Sequence, residues 1–311
     1  LRSTNNPNRD SVFILISAES SKSIVMVAYD YEPDAYLAKP LTPKALDQRI
    51  ARLFEQRHEL KPVISAQKAG DIDLAIHEAN RLLKAGIRHS NACQELLGQL
   101  YVEKGDVASA KKLYSAVLAQ RELEWAQLGM IKTLIALNDY DEADRRISAL
   151  LENNPLCMKA YDFRVELYRA KENFEQLQAT LQKAVDISPL SILRQQSLGQ
   201  VAQQNHDLVT AAHALRRSVK LGENSCFDRQ DIHIQFAQTT IDLFSIDREL
   251  AKPLLRDAIS CAVGLESSFG KGPVQRAESL LLESQLQVCN GDPRRAQEAL
   301  NSAQQLIQSA V

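Results

Sequence analysis

A small residue returns through this chain at a nearly fixed interval. Ala75, Ala110, Ala143, Ala211, Ala251 and Ala296 share one phase, with Leu177 in the slot between Ala143 and Ala211. Successive intervals are 35, 33, 34, 34, 40 and 45 residues. A period near ~34 is that of a pair of antiparallel helices, a unit that cannot bury its apolar face alone and so must stack on copies of itself. The small side chain sits where two helices cross closely. Composition agrees: Gly (11) and Pro (10) are too scarce among 311 residues for a hairpin-rich β fold or disordered linkers. With 37 Lys plus Arg against 39 Asp plus Glu, the net charge of -2 argues against a nucleic-acid binder.

Other positions keep the same phase. Leu97-Gly98, Tyr101, Gly105-Asp106, Ala110 and Tyr114 form one nearly complete unit, and Leu198-Gly199, Ala202, Asp207, Ala211 and Leu215 form another. Pro155 and Pro189 close units where a helix must stop. Gly70-Asp71, Asn138-Asp139 and Gly291-Asp292 mark turns inside pairs, with Asp placed to cap the second helix. These residues resemble the tetratricopeptide repeat over about residues 56–308. The resemblance implies a mainly α fold, a right-handed superhelix of about seven helix pairs spanning 58–308, with the last pair as a cap. The polar residues Gln297, Glu298, Asn301, Gln304, Gln305 and Gln308 suit a cap's solvated face.

Residues 1–57 read differently. Val12–Ile16 is a β-rich apolar run ending in Ser17-Ala18, followed by a helical stretch over 20–28 and a second strand, Ala35–Ala38, running into Lys39-Pro40. Thr42 is then an N-cap with Pro43 at the first helical position, and Ala45, Leu46, Ile50, Leu53 and Phe54 give a helical stripe. This order resembles the C-terminal half of a response-regulator receiver domain, which makes residues 1–57 a partial, truncated α/β receiver fragment. The resemblance implies that Ser17 and Lys39 hold an aspartyl phosphate and that Tyr36 is the switch aromatic. It also implies a histidine kinase upstream and Mg²⁺ only in an intact receiver. The family's acidic pair and phosphoacceptor Asp lie on earlier strands absent here, so this chain cannot itself take up a phosphoryl group. The reading is a two-component protein whose receiver controls a repeat scaffold; the alternative is a constitutive adaptor whose degenerate receiver serves docking or homodimerisation.

Catalysis finds no support. The six histidines form no HExxH and no zinc-spaced cluster, and the chain has no phosphate-binding glycine loop and no GxSxG. No catalytic residue, metal site or cofactor is expected in this chain. The five cysteines are dispersed and form no CxxC, which fits reduced thiols in a cytoplasmic protein. No run is long enough to span a membrane.

The expected site is therefore a groove for a protein or peptide, built from the first helices of the pairs. Phasing from the alanines lines it with Glu95, Gln99, Lys132, Lys159, Asp162, Glu166, Arg169, Gln196, Gln200, Gln203, His233, Phe236 and Gln285. Glu166 and Arg169 are spaced for a solvated ion pair, and Trp125, the only tryptophan, falls at or beside a packing position. The Lys, Asn and Arg set with which chaperone-binding repeat proteins clamp a dicarboxylate is missing, which disfavours a chaperone C-terminus.

Overall fold

The structure, a computed structural model, describes residues 12–18, 26, 33–268 and 272–310. Two short strands, β1 (Ile14–Ser17) and β2 (Ala35–Ala38), pair in parallel with Ile14 opposite Ala35 and Ser17 opposite Ala38. The helix expected over 20–28 lies outside the described residues, Met26 apart. Fourteen helices follow among the described residues. They are α1 (Pro43–Lys68), α2 (Ile72–Lys84), α3 (Ser90–Lys104), α4 (Val107–Gln120), α5 (Glu124–Ala136), α6 (Tyr140–Asn153) and α7 (Met158–Ala170). Then come α8 (Phe174–Ile187), α9 (Ile192–Gln204), α10 (Leu208–Gly222), α11 (Gln230–Ile246), α12 (Arg248–Ser268), α13 (Pro273–Cys289) and α14 (Pro293–Ala310). The chain divides into two compact units, Leu1–Lys171 and Glu172–Val311.

The turns inside the pairs share one device. Gly70, Gly105, Asn138, Glu172, His206 and Gly291 each take positive φ, between 53° and 83°, and each is followed by Asp or Asn. A left-handed residue ends the first helix, and the next side chain starts the second. Asp71, Asp106, Asn173, Asp207 and Asp292 each accept a bond from the main-chain N–H three residues on, at 2.9–3.1 Å. Asp139 holds the same position without that side-chain bond. This also accounts for His206, whose place is a turn.

The phase-defining side chains are buried: Ala75, Ala110, Ala143, Ala211 and Ala251 completely, Leu177 and Ala296 nearly so. In the first unit each helix from α1 to α7 packs on the next, and the first helices α3, α5 and α7 also touch in succession. The core there includes Ala110, Tyr114, Met130, Ile131, Leu134, Ile147 and Leu167. Tyr114 on α4 fills a slot between Gly98 on α3 and Gly129 on α5, and a Cβ at either glycine would overlap its ring or hydroxyl. In the second unit Phe236, Leu254, Leu265 and Leu286 belong to one core, and Asp257 on α12 pairs with Arg216 and Lys220 of α10.

Helix α1 starts as the sequence implies, with Thr42 Oγ1 accepting from Ala45 N at 3.2 Å. It continues past residue 57 and through Pro62 without a break. Its middle is tied at both sides. Arg57 donates to Asp34 just before β2, while Glu55 and Glu59 accept from Arg88 and His89 ahead of α3. The His89 bond at 2.8 Å is the main reason the Glu59 carboxyl lies below its ordinary range. The expected stripe on α1 is only partly covered: Leu46, Ile50 and Leu53 are half-buried, Ala45 and Phe54 exposed.

The glycine slot has a measurable consequence. Helix propensity alone favours alanine over glycine by about 1 kcal/mol. Gly264 on α12 has no atom within 4 Å of a would-be Cβ, so Gly264→Ala should stabilise the protein by roughly that amount. Gly98→Ala should instead lower stability by about 1–3 kcal/mol, because Tyr114 must move. Chemical denaturation of the two variants beside the parent checks both signs.

Candidate functional site

At the N-terminal strands the parallel register places Ser17 opposite Ala38, and Lys39 N donates to Ser17 O at 2.8 Å. Ser17 is half-buried, the Lys39 side chain is exposed, and Tyr36 stands opposite Leu15. Ile16, Ala18, Lys39, Pro40 and Leu41 line an open hollow at the carboxyl ends of the two strands. At the opposite end Asp34 accepts from Phe13 N at 2.7 Å and from Arg57 at 3.1 Å.

The groove candidates of the first unit lie on three helices that touch in succession. Glu95 and Gln99 lie one turn apart on α3; Trp125, Leu128 and Lys132 follow helical spacing on α5; Lys159, Asp162, Glu166 and Arg169 do so on α7. Gln99, Lys132 and all four α7 residues are exposed, and Glu95, Trp125 and Leu128 are half-buried. Trp125 meets Tyr114 edge-on, ring centroids 6.3 Å apart, so it belongs partly to the core and partly to this face.

Glu95 stands out electrostatically. Among the described residues no hydrogen bond or ion pair reaches its carboxylate. Burial pushes its pKa above the ordinary carboxylate value, and the charge of Lys159, acting from α7 across α5, lowers it only in part. Burial in turn pushes the Tyr114 phenol up to about 12, with a contribution from the Glu95 charge. Glu95 is thus a half-buried carboxylate whose charge reaches the Tyr114 phenol, and Trp125 meets the ring of that same tyrosine. Glu166 and Arg169, spaced for an ion pair, do not form one: both extend into solvent, where the side-chain entropy of holding the pair offsets its small Coulomb gain.

The second unit differs from expectation. Phe236 is fully buried in a core with Leu243 of α11 and Leu254 and Leu255 of α12 and is unavailable to a ligand, since a large apolar ring gains more from that core than from an open face. Gln196, Gln200 and Gln203 on α9 spend their amides on neighbouring structure. They donate to Phe227 O at 3.3 Å, Gln235 Oε1 at 3.4 Å and Thr239 Oγ1 at 2.5 Å. His233 pairs with Asp228 at 2.7 Å. Gln285 is exposed. No group of three or more His, Cys, Asp or Glu among the described residues is arranged to hold a metal. No described helix is long and apolar enough to cross a membrane. Cys93 and Cys157 are buried, Cys261 and Cys289 half-buried and Cys226 exposed, all as free thiols.

Comparison with known proteins fits this geometry. Tetratricopeptide-repeat family models match residues 63–124 and 101–162. Residues 63–162 are tetratricopeptide repeats. Outside that span the helical repeat is seen in the fold. The chain is similar to the C-terminal part of a repeat-containing protein from Cytophaga hutchinsonii, at 16% identity and TM-score 0.53, covering 79% of this chain and 95% of that one. It is also similar to a tetratricopeptide repeat protein from Parabacteroides merdae, at 12% identity and TM-score 0.45, covering 80% and 92%. The repeat protein YrrB, described as having an unusual peptide-binding site, is similar at 17% identity and TM-score 0.45, covering 62% and 91%. No curated protein matches the chain. The repeats give a mainly helical architecture, and no comparison shows a receiver domain.

A carboxylate whose pKa is raised in the folded state adds stability below its unfolded value and loses it as pH rises through the folded value. Glu95→Gln removes that loss. The variant should therefore melt above the parent at neutral pH, and the gap should close below about pH 4, where the unfolded carboxylate is itself protonated. Thermal melts across pH 3–8 read this directly.

Proposed function

We propose that this protein is a constitutive, non-catalytic scaffold that holds a peptide or protein partner on the first-helix face of α3, α5 and α7. The observation that carries this reading is the state of that face. Among the described residues Glu95, Lys132, Glu166 and Arg169 make no ion pair, and Trp125 and Leu128, on the helix that carries Lys132, are only half-covered. Charged and aromatic groups left uncommitted on one surface are what a partner pairs with on binding. By contrast, the glutamines of α9 are already bonded within the fold.

On this reading residues 1–57 are a degenerate receiver used for docking or dimerisation, joined stiffly to the repeats through α1. The parallel register of β1 and β2, which sets Lys39 beside Ser17, favours a second reading. There, an intact receiver phosphorylated by a histidine kinase in the presence of Mg²⁺ would control the scaffold.

The scaffold reading predicts that proteins retained from a cell extract by the parent are released by a triple reversal, Lys132→Glu, Glu166→Lys and Arg169→Glu, whose melting temperature is unchanged. An identical set retained by both would remove the face from consideration. Intact mass after incubation with a small phosphodonor and Mg²⁺ separates the two readings: unchanged mass fits the adaptor, one added phosphoryl group the switch.

A further inference from the structure

Within the face of α3, α5 and α7, one position is built differently from the rest. Lys132, Glu166 and Arg169 reach into water, where an unpaired charge costs little. Glu95 does not: it is half-buried at the floor, without a hydrogen-bond or ion-pair partner among the described residues. A desolvated carboxylate lacking a donor is unfavourable in the free protein, and the deficit disappears when a donor arrives. Its surroundings say which donor fits. One turn along α3, Gly98 admits the Tyr114 hydroxyl, and Trp125 lies edge-on to the Tyr114 ring at 6.3 Å with its own ring half open. Glu95 and Trp125 thus both relate to Tyr114, one through its charge and the other edge-on to the ring, and a carboxylate with an indole suits a cation, since one supplies charge and the other a π face.

We propose that Glu95 and Trp125 form a pocket for a lysine or arginine side chain of an extended peptide lying across α3 and α5. This rests on the scaffold reading above and names the chemistry of its partner. The peptide's residues beside the cation meet Leu128, which favours an apolar neighbour. Lys159 is the opposing group: its charge acts on Glu95 from α7, beyond ion-pair distance, and repels an incoming cation. It therefore sets affinity in a sense opposite to Glu95.

The chain's only tryptophan lies in the pocket, so intrinsic fluorescence reports occupancy. Four pools of N-acetylated, C-amidated nonapeptides, with lysine, arginine, glutamate or glutamine fixed at the centre and randomised flanks, serve as probes on the full chain. The lysine and arginine pools should change Trp125 emission saturably. Glu95→Gln should weaken them about tenfold or more, the loss expected for a charge-assisted bond. Lys159→Ala should tighten them, and Gln200→Ala on α9 should leave them unaltered. Equal binding of the glutamate or glutamine pool, or indifference to Glu95→Gln, overturns the cation pocket while leaving the scaffold in place. Failure of every pool to bind the parent, with the extract-derived partner still released by the triple reversal, overturns the pocket alone. If that partner is unaffected too, the scaffold reading falls with it.

Discussion

The close crossing of two helices at one small residue sets the rest of this architecture. At Ala75, Ala110, Ala143, Ala211 and Ala251 the side chain is wholly buried. That approach fixes how each second helix lies on its first. The turn must then reverse the chain within a few residues, and one left-handed residue followed by an Asp or Asn does so at six places. Where packing is tightest, the chain gives up side chains: Gly98 and Gly129 make the space that Tyr114 occupies. Glycine in a helix interior costs conformational entropy, and here the burial of an aromatic ring offsets it.

These constraints made the repeats legible. Interval, alanines and turn residues are local in sequence, and each maps onto one structural position. The turn at Glu172-Asn173 was harder to read, because a glutamate carries no left-handed preference and only its place in the period marks it. Side-chain use was less legible still. Phasing from the alanines puts Phe236 on the open face, but the ring lies wholly in the core, and the helices of that pair, Gln230–Ile246 and Arg248–Ser268, are longer than those of the pair before it. Likewise the glutamines of α9 looked like a lining. Their partners, Phe227, Gln235 and Thr239, lie 31, 35 and 36 residues away, a relation that a single helix face does not reveal.

The N-terminal segment shows the opposite balance. Local pattern there gave β2, the Thr42 cap and the start of α1, and β1 differed by a shift of its ends. What pattern could not supply is the chemistry of a receiver, which depends on acidic residues; among the described residues the hollow at the strand ends is lined by Ile16, Ala18, Lys39, Pro40 and Leu41. Two parallel strands alone also leave a sheet with little covering, consistent with the half-buried and exposed residues along β1. The segment's firm contribution is mechanical. Arg57–Asp34 on one side of α1, and Glu55–Arg88 with Glu59–His89 on the other, hold strands and first repeats to one helix.

Why a binding surface should lie on α3, α5 and α7 follows from how each helix meets its neighbours' polar groups. Packing first helices side by side leaves their outward side chains two choices: bond across to the next helix, or remain uncommitted. Glutamine, short of charge and rich in donors and acceptors, takes the first choice on α9, and those bonds close the surface. Lys132 on α5 and Glu166 and Arg169 on α7 are exposed, and in water they gain little by pairing. Glu95 lies half-buried on the same face, where burial raises its pKa and the charge of Lys159 offsets that only in part. On the reading proposed above, an arriving donor would find there a carboxylate whose loss of water the free protein has not made good.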